Sequence, residues 1–267
     1  MFVFYSKVYS MNTIHSSKKY NLTDVITSFN KTFSLLFLFI AVGLFFDSTW
    51  FTNQFNHGQL YANILMISVF SGLFYKATKR SRELMVYAVL IGIGGEYLFS
   101  LGFEMYAYRL GNVPTYVPPG HAIIYIVTVY FCRKAAIKQY KIQLEKLFTI
   151  LILSYAFLFL IFAEDYFGFF LTLLTIYILR NKPRERLFYL SMYVVVAVLE
   201  IIGTRYQCWY WPETAFGVIP FLKSANPPSG ISFFYFGLDL GSLWLYKQRH
   251  LIAWNRMKRL RLSQNSN

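Results

Sequence analysis

The sequence predicts an all-α integral membrane protein with eight transmembrane helices, arranged as two parallel four-helix repeats with both termini cytosolic. Three observations lead to this fold class. The 267-residue chain is 56% hydrophobic and only 14% charged, whereas an ordinary globular domain carries about 25% charged residues. Its apolar residues fall into eight long runs. The connections between these runs alternate between many and very few basic residues.

Each apolar run, taken in chain order, predicts one helix. The runs cover approximately 32–47, 60–75, 84–102, 119–132, 147–163, 166–179, 187–203 and 229–246. A helix needs about 20 residues to cross a hydrocarbon core about 30 Å thick, so the fourth and sixth runs must include their flanks. We divide residues 147–179 into two helices at Glu164 and Asp165, because adjacent carboxylates are costly in hydrocarbon and favourable at its boundary.

The basic residues predict the orientation of the helices. Of the 26 Lys and Arg residues, 23 lie in the two tails or in the second, fourth and sixth connections. The odd-numbered connections contain only Arg109, Arg205 and Lys223. By the positive-inside rule, the even-numbered connections and both termini are cytosolic. The chain then divides into a cytosolic N-terminal tail (1–31), two four-helix halves (32–146 and 147–247) and a basic cytosolic C-terminal tail (248–267).

The net charge of +14 is explained by this topology. Each Lys or Arg near an anionic membrane surface contributes about 1 kcal/mol of attraction. We therefore expect membrane lipids of the anionic inner leaflet as partners of the basic tails, no nucleic acid, and a multi-pass location in the inner (plasma) membrane. We expect no cofactor and no metal. A metal between His57, His121 and glutamates stays open as an alternative, although the spacing does not support it.

An internal repeat relates the third and fourth helices to the seventh and eighth. Glu96 lies 14 residues after Arg82, and Glu200 lies 14 residues after Arg186. The other recurring landmarks are Tyr106 with Tyr210 and Pro118-Pro119 with Pro227-Pro228. Four helices in each half, starting on the same side, make a parallel repeat with its axis along the membrane normal. We expect a pocket where the two halves meet at this axis, open toward the outside.

Glu96 and Glu200 are the first candidates for catalysis. Fourteen residues of helix place each of them about 21 Å from the cytosolic edge, within the hydrocarbon core. A carboxylate at this depth faces the bundle interior or a water-filled cavity, and it is a functional candidate by default. The two glutamates either handle substrate or protons, or they tie their helices to neighbouring ones.

His121 is the third candidate catalytic residue. It follows Pro118-Pro119-Gly120 at the predicted start of the fourth helix, where the helix dipole favours a neutral imidazole. Such an imidazole suits a general base or a hydrogen-bond donor, although a lone histidine can also simply cap and pack a helix. The proline alignment makes Gly230 its counterpart, so we expect an asymmetric site.

Further polar and aromatic residues near these candidates are predicted to bind substrate. They are Tyr106, Tyr108, Trp209 and Tyr210 in the outer loops, Glu104 and Arg205 beside them, and Asp239 within the last helix. Aromatic rings at this level could also form the interfacial belt, and the charged residues could be solvated. Asp239 could extend a proton path or bond a neighbouring helix.

Two segments resemble known families of carotenoid-processing membrane enzymes. GFEMYAYRLGNVPTYVPP (102–119) is similar to the acidic helix and Pro-rich loop of integral-membrane carotenoid hydratases. CWYWPETAFGVIP (208–220) with GISFFYFGLDL (230–240) resembles small membrane-bound lycopene cyclases, although residues 227–230 replace the acidic pair of the cyclases. The resemblance implies a buried acid, Glu96 or Glu200, that protonates an isoprenoid double bond beside Tyr106, Trp209 and Tyr210.

The sequence therefore predicts an intramembrane enzyme that acts on an apolar small molecule, a lipid or isoprenoid, by carboxylate acid/base catalysis. If it is an enzyme, we expect a hydratase- or cyclase-like lyase or an isomerase. A proton-coupled transporter that uses the same glutamates is an alternative. A non-catalytic membrane assembly protein is a third possibility.

Overall fold

Long apolar helices form most of the chain in the computed structural model, which describes residues 19–252 and 254–256. The first 18 residues of the predicted N-terminal tail, and residues 253 and 257–267 of the predicted C-terminal tail, lie outside the described residues. The helices are α1 (Leu22–Phe29), α2 (Leu35–Phe46), α3 (Thr49–Gln54), α4 (Gly58–Lys76), α5 (Lys79–Glu96), α6 (Val117–Arg133), α7 (Ala135–Gln139), α8 (Lys141–Ala163), α9 (Tyr166–Arg180), α10 (Arg186–Arg205) and α11 (Ser232–Arg249). Each predicted apolar run coincides with one of the longer helices.

Five helical segments among the described residues are long and apolar enough to cross a membrane. They are Leu22–Gln54, Gly58–Lys76, Lys79–Gly102, Lys141–Ala163 and Arg186–Arg205. Only 11% of the most apolar part of α4 and 17% of that of α8 is buried inside the protein. Because large exposed apolar surfaces of this kind require contact with lipid, the chain is an α-helical, multi-pass membrane protein.

The helices begin and end at polar residues that satisfy free backbone groups. The side chain of Thr78 accepts a hydrogen bond from the backbone N–H of Ser81 at the start of α5. Asp165 does the same for Gly168 at the start of α9. Glu164 takes a left-handed conformation that ends α8. The division predicted at Glu164 and Asp165 is therefore where α8 gives way to α9, because such caps stabilise a helix end.

The core of the bundle is formed by α5, α6 and α10. The side chains of Tyr125 on α6 and Tyr193 on α10 are fully buried. Helix α5 packs along α6 and α11, and α10 packs against α2, α6, α8 and α11. The apolar faces of α2, α4, α8 and α9 form the outside of the bundle. The inner faces of α2 and α4, together with α5, α6, α10 and α11, surround the candidate site.

Two short antiparallel β-ribbons, which the all-α prediction missed, lie in the loops after α5 and α10. Strand β1 (Ala107–Tyr108) pairs with β2 (Trp209–Tyr210), and β3 (Thr214–Ala215) pairs with β4 (Ile219–Lys223). Three of these four strands have only two residues, which is too short to show the alternating pattern by which a strand is recognised in a sequence. The β1–β2 pair joins residues 103–116 to residues 206–231, and we call these two loops together the loop end of the bundle.

Two buried aspartates fasten the loop end to the helices. Asp47, after α2, binds the Arg109 guanidinium and accepts a hydrogen bond from the Tyr116 hydroxyl. Asp165, before α9, accepts backbone hydrogen bonds from Ala225 and Ser229 at 3.1 and 2.7 Å. Both aspartates are fully buried. Hydrogen bonds to buried ionised groups contribute about 1.5 to 3 kcal/mol each, so the loops are held in a fixed position above the helices.

Candidate active site

A cavity of about 430 Å³ lies under the loop end, between α2, α4, α5, α6, α10 and α11. This volume is within the range of about 300 to 1,000 Å³ that is usual for small-molecule sites. Aliphatic and aromatic side chains form most of its wall. Glu96, His121 and Glu200 line it, and among the described residues no Lys or Arg does. The cavity therefore suits an apolar ligand that meets ionisable groups at one place.

Glu96 is the centre of the first polar cluster in this cavity. The hydroxyls of Tyr106 and Tyr108 both donate to its Oε2, each at 2.6 Å, and its Oε1 lies 2.7 Å from Nε2 of His121. Because phenol hydroxyls donate to the same carboxyl oxygen, we assign Glu96 as a carboxylate and place a proton on Nε2 of His121. The glutamate then holds the imidazole in one orientation.

His121 lines the cavity with its ring edge. The first turn of α6 contains Pro118 and Pro119, whose missing N–H groups cost nothing at that position. On α5, a Cβ built at Gly92 would lie 3.2 Å from Cδ2 of His121, so glycine there lets the ring approach. Its Nδ1 makes no hydrogen bond to any described residue. This nitrogen is therefore available to a molecule in the cavity.

Glu200 is the centre of the second polar cluster. The indole N–H groups of Trp209 and Trp211 donate to its Oε2 at 2.8 and 3.1 Å, and the hydroxyl of Tyr235 lies 3.0 Å from its Oε1. Because an indole nitrogen can only donate, Oε2 accepts from both tryptophans, and the Tyr235 hydroxyl occupies Oε1. A Cβ built at Gly203 would lie 2.0 Å from the Trp209 ring, which explains the glycine one turn later on α10. Glu200 thus holds β2 in place over the cavity.

The surroundings of the two glutamates match. The two loop donors follow Glu96 by 10 and 12 residues and Glu200 by 9 and 11 residues. Each glutamate has a third partner on the following long helix, His121 for Glu96 and Tyr235 for Glu200. The spacing from Glu96 to its loop donors is thus one residue longer than the spacing from Glu200 to its own. A π-helical turn, Tyr97–Gly102, lies in this longer segment, directly after α5. A π-helical turn contains an extra residue relative to an α-helical turn.

These contacts change two pairings that the sequence repeat suggested, one from the offset between the glutamates and one from the proline alignment. By its contacts, Tyr106 matches Trp209 and not Tyr210, whose side chain is 58% exposed. Likewise His121 matches Tyr235 and not Gly230, which packs against Gly168 at the start of α9. The rings of His121 and Tyr235 touch edge to face with centroids 5.0 Å apart. The two halves therefore differ at this position, where the first has His121 and the second has Tyr235.

The structure brings together only some of the residues that the sequence singled out. Tyr106, Tyr108 and Trp209 line the cavity together with the two glutamates and His121. Glu104, Arg205 and Tyr210 are exposed at the loop end and do not line it. Asp239 is buried elsewhere on α11, where its Oδ2 accepts a hydrogen bond from the Tyr189 hydroxyl at 2.6 Å. We therefore leave these four residues out of the candidate active site.

Sequence reasoning missed Tyr235 and Gly92. Tyr235 lies in the Phe-rich segment at the start of α11, where a tyrosine among phenylalanines is inconspicuous. Aligning the first turns of α6 and α11, and not the proline pairs, would have placed it near His121. Gly92 belongs to a run of three closely spaced glycines on α5, which indicated close packing but not the partner.

The two loop tyrosines of the first cluster remain protonated donors. Burial raises the pKa of Tyr106 and of Tyr108 above the ordinary value of 10.0, and the neighbouring Glu96 carboxylate raises both further. Tyr106 and Tyr108 therefore serve Glu96 as hydrogen-bond donors. Within residues 19–252 and 254–256, no group of three or more His, Cys, Asp or Glu side chains is arranged to hold a metal ion.

No protein-family model, curated protein or solved structure matches the chain. Function must then be argued from the geometry and chemistry of the site.

Proposed function

We propose that the protein is an intramembrane enzyme that transfers a proton to and from a neutral lipid or isoprenoid, with His121 as the acid/base group. One observation carries this proposal. Nε2 of His121 is bound to Glu96, while Nδ1 has no partner among the described residues and the ring lines an apolar cavity. An imidazole oriented by a carboxylate and open on its other nitrogen is the arrangement that general acid–base catalysis requires.

The sequence led us to expect a neutral imidazole at His121, but in this proposal the Glu96 carboxylate, 2.7 Å from Nε2, stabilises an imidazolium with a proton on each ring nitrogen. Its Nδ1–H gives the proton to one carbon of a substrate double bond, whose electron pair forms the new C–H bond and leaves a cation on the neighbouring carbon. Nδ1 then takes a proton from an adjacent carbon, and the electron pair of that C–H bond forms the shifted double bond. The result is isomerisation, with His121 restored. Because the positive charge moves only from the ring to the substrate, no new charge is separated in the cavity.

The Glu96 carboxylate stabilises the positive charge on His121. Glu96 bonds the imidazolium directly, and Glu200 lies in the same cavity. The aromatic side chains of Tyr106, Trp211 and Tyr235 also line it, and aromatic faces attract cations. In this proposal Glu96 is a catalytic positioning group, and Glu200 sets the positions of the aromatic rings.

The architecture proposed from the sequence fits this site. Matched contacts support two related halves: Nε of Arg82 donates to the carbonyl of Phe74, and Nε of Arg186 donates to that of Leu179. With the matched glutamates, this favours eight crossings in two parallel repeats. The distribution of Lys and Arg supports cytosolic termini and an inner-membrane location, with anionic lipid at the basic tails.

The enzyme proposal is tested by comparing lipid extracts of membranes that contain the wild type or His121→Asn. We expect the substrate to accumulate and its isomer to disappear with His121→Asn. His250→Asn is the matched control, because His250 also binds a glutamate, Glu83, at 2.7 Å but lies outside the cavity. A lipid profile that is the same with His121→Asn as with the wild type would contradict the proposal. Lipid-driven proton uptake by vesicles in that case would favour the transporter.

A further inference from the structure

The wall of the cavity contains exposed residues along α5 and α11. Leu90 and Gly94 on α5, and Leu98 in the π-helical turn that continues it, follow one another at four-residue spacing, and all three line the cavity and are exposed. Gly237 on α11 likewise lines the cavity and is exposed. The loop-end residues that line the cavity are buried or half-buried. The opening is therefore at the side of the bundle, although the sequence led us to expect it on the outer face.

The exposed glycines on the two helices lie at the same level. Helices α5 and α11 are antiparallel, and their register is given by the contacts of His250 with Glu83 and of Gly241 with Ile91. Four residues from the contact between Gly241 and Ile91, in the direction of the loop end, lie Gly237 on α11 and Gly95 on α5. Gly237 is therefore level with Gly95, which is next to Gly94. A Cβ built at Gly94 or at Gly237 meets no atom within 4 Å. The two exposed glycines thus leave open space in the wall of the cavity at this level, and we call this space the gap.

We propose that this gap is a lateral portal through which a neutral single-chain lipid passes from the bilayer into the cavity. Gly94 is 15 residues after Lys79, which is about 22 Å along the helix and within a hydrocarbon core about 30 Å thick. Leu90 and Leu98, above and below the gap, are 56% and 48% exposed. A molecule dissolved in the membrane reaches the gap without crossing water.

The charge and width of the portal select the lipid. Glu96 already pairs with His121, and no Lys or Arg of the described residues lines the cavity, so a phosphate or carboxylate headgroup would lose its hydration uncompensated. The gap is made by the missing side chains of glycines, and this width suits one hydrocarbon chain. The conclusion that this lipid is also the substrate rests on the proposed function, whereas its entry into the cavity does not.

The portal is tested with the purified protein in phosphatidylcholine vesicles that contain a diazirine-bearing octadecanol as a photoreactive probe. Illumination should label the peptides that contain His121 and Tyr235. In Gly94→Leu and Gly237→Leu we expect this labelling to fall by about tenfold, which corresponds to about 1.4 kcal/mol. The smaller Gly94→Ala change should give a smaller loss. These substitutions favour the helix, so the fold is retained.

Gly72→Leu is the matched control, because Gly72 is an exposed glycine of α4 with no atom within 4 Å of a built Cβ and does not line the cavity. Its labelling should equal that of the wild type. Cavity labelling that survives both Gly94→Leu and Gly237→Leu would overturn the portal. Equal labelling by the same chain with a phosphate headgroup would overturn the selection for neutral lipids. His121→Asn should still be labelled, so loss of the proposed catalysis is distinguished from loss of entry.

Discussion

Replacing Glu96 with glutamine should move the proton of His121 from Nε2 to Nδ1. Two phenol hydroxyls donate to Oε2 of Glu96, so the glutamine must place its carbonyl oxygen there. Its NH₂ group then faces Nε2 of His121, because the wild-type Oε1 lies 2.7 Å from that nitrogen. Since the NH₂ group only donates, the imidazole has to accept at Nε2 and carry its proton on Nδ1.

The size of this preference follows from the hydrogen bonds. Flipping the amide would leave the two phenol hydroxyls of Tyr106 and Tyr108 facing an NH₂ group, and each unpaired buried donor costs about 1 to 3 kcal/mol. Either orientation of the amide keeps one hydrogen bond to His121, so the two unpaired hydroxyls set the net preference at about 2 to 6 kcal/mol, or at least about 30-fold. Glu96→Gln also removes the carboxylate that stabilises the imidazolium from which the proposed reaction starts. Losing the corresponding carboxylate of a catalytic triad costs about 10⁴-fold in rate, and we expect a comparable loss here.

The assay is ¹⁵N NMR of histidine-labelled protein at alkaline pH, where the imidazole is neutral. The chain has four histidines, and comparison with His121→Asn identifies the signal of His121. We expect a protonated Nε2 in the wild type and a protonated Nδ1 in Glu96→Gln. Glu200→Gln is the control, because Glu200 does not contact the imidazole. An unchanged tautomer in Glu96→Gln would refute the reasoning, as would the same shift of tautomer in Glu200→Gln.

Three further predictions concern the loop end. Gly203→Ala places a methyl group 2.0 Å from the Trp209 ring, so the free energy of unfolding should fall by about 1 to 3 kcal/mol and tryptophan fluorescence should shift. Arg109→Met leaves the buried Asp47 carboxylate without its cation, so thermal unfolding should show a loss of about 3 to 5 kcal/mol. Because burial and Glu96 raise the pKa of Tyr108 above 10.0, its contribution to stability is complete below pH 10 and falls as the pH rises further, and Tyr108→Phe should flatten that decline.

Exposed positions supply the controls for these three changes. Gly72→Ala has no atom near the added methyl group and should leave the stability unchanged. Lys223→Met removes an exposed ion pair with Glu164, and we expect no measurable change. Tyr97→Phe alters a tyrosine that is 58% exposed, so the dependence of stability on alkaline pH should persist. If a control substitution changed stability as much as the buried substitution it is paired with, burial would not explain the effect.

The helices could be predicted because their signal is long and local. Runs of apolar residues between charged ends mark every long helix, and the carboxylates Glu164 and Asp165 mark the break between α8 and α9. Glu96, His121 and Glu200 could be chosen because ionisable groups are rare and costly in hydrocarbon. Their presence in one cavity followed from the recurrence of the Glu96 segment at Glu200.

The remaining features depend on contacts between distant residues. The β1–β2 ribbon pairs Ala107 with Tyr210 across two loops, and two residues carry no periodic signal. The π-helical turn Tyr97–Gly102 shifts the register of the first loop by one residue, which no composition rule reveals. Tyr235 became part of the site through its hydrogen bond to Glu200. Glu104 and Arg205 were chosen for their charge, but solvent accommodates both.

The difference between His121 and Tyr235 has a regiochemical consequence. Two proton-transferring groups side by side in one cavity would act at two positions of a long chain, or on a chain held in either direction, and would give a mixture of products. The tyrosine beside the histidine keeps the hydrogen bond to its glutamate, and a phenol gives up its proton less readily than an imidazolium. One chain direction and one reacting carbon are then selected, so a single regioisomer is the expected product.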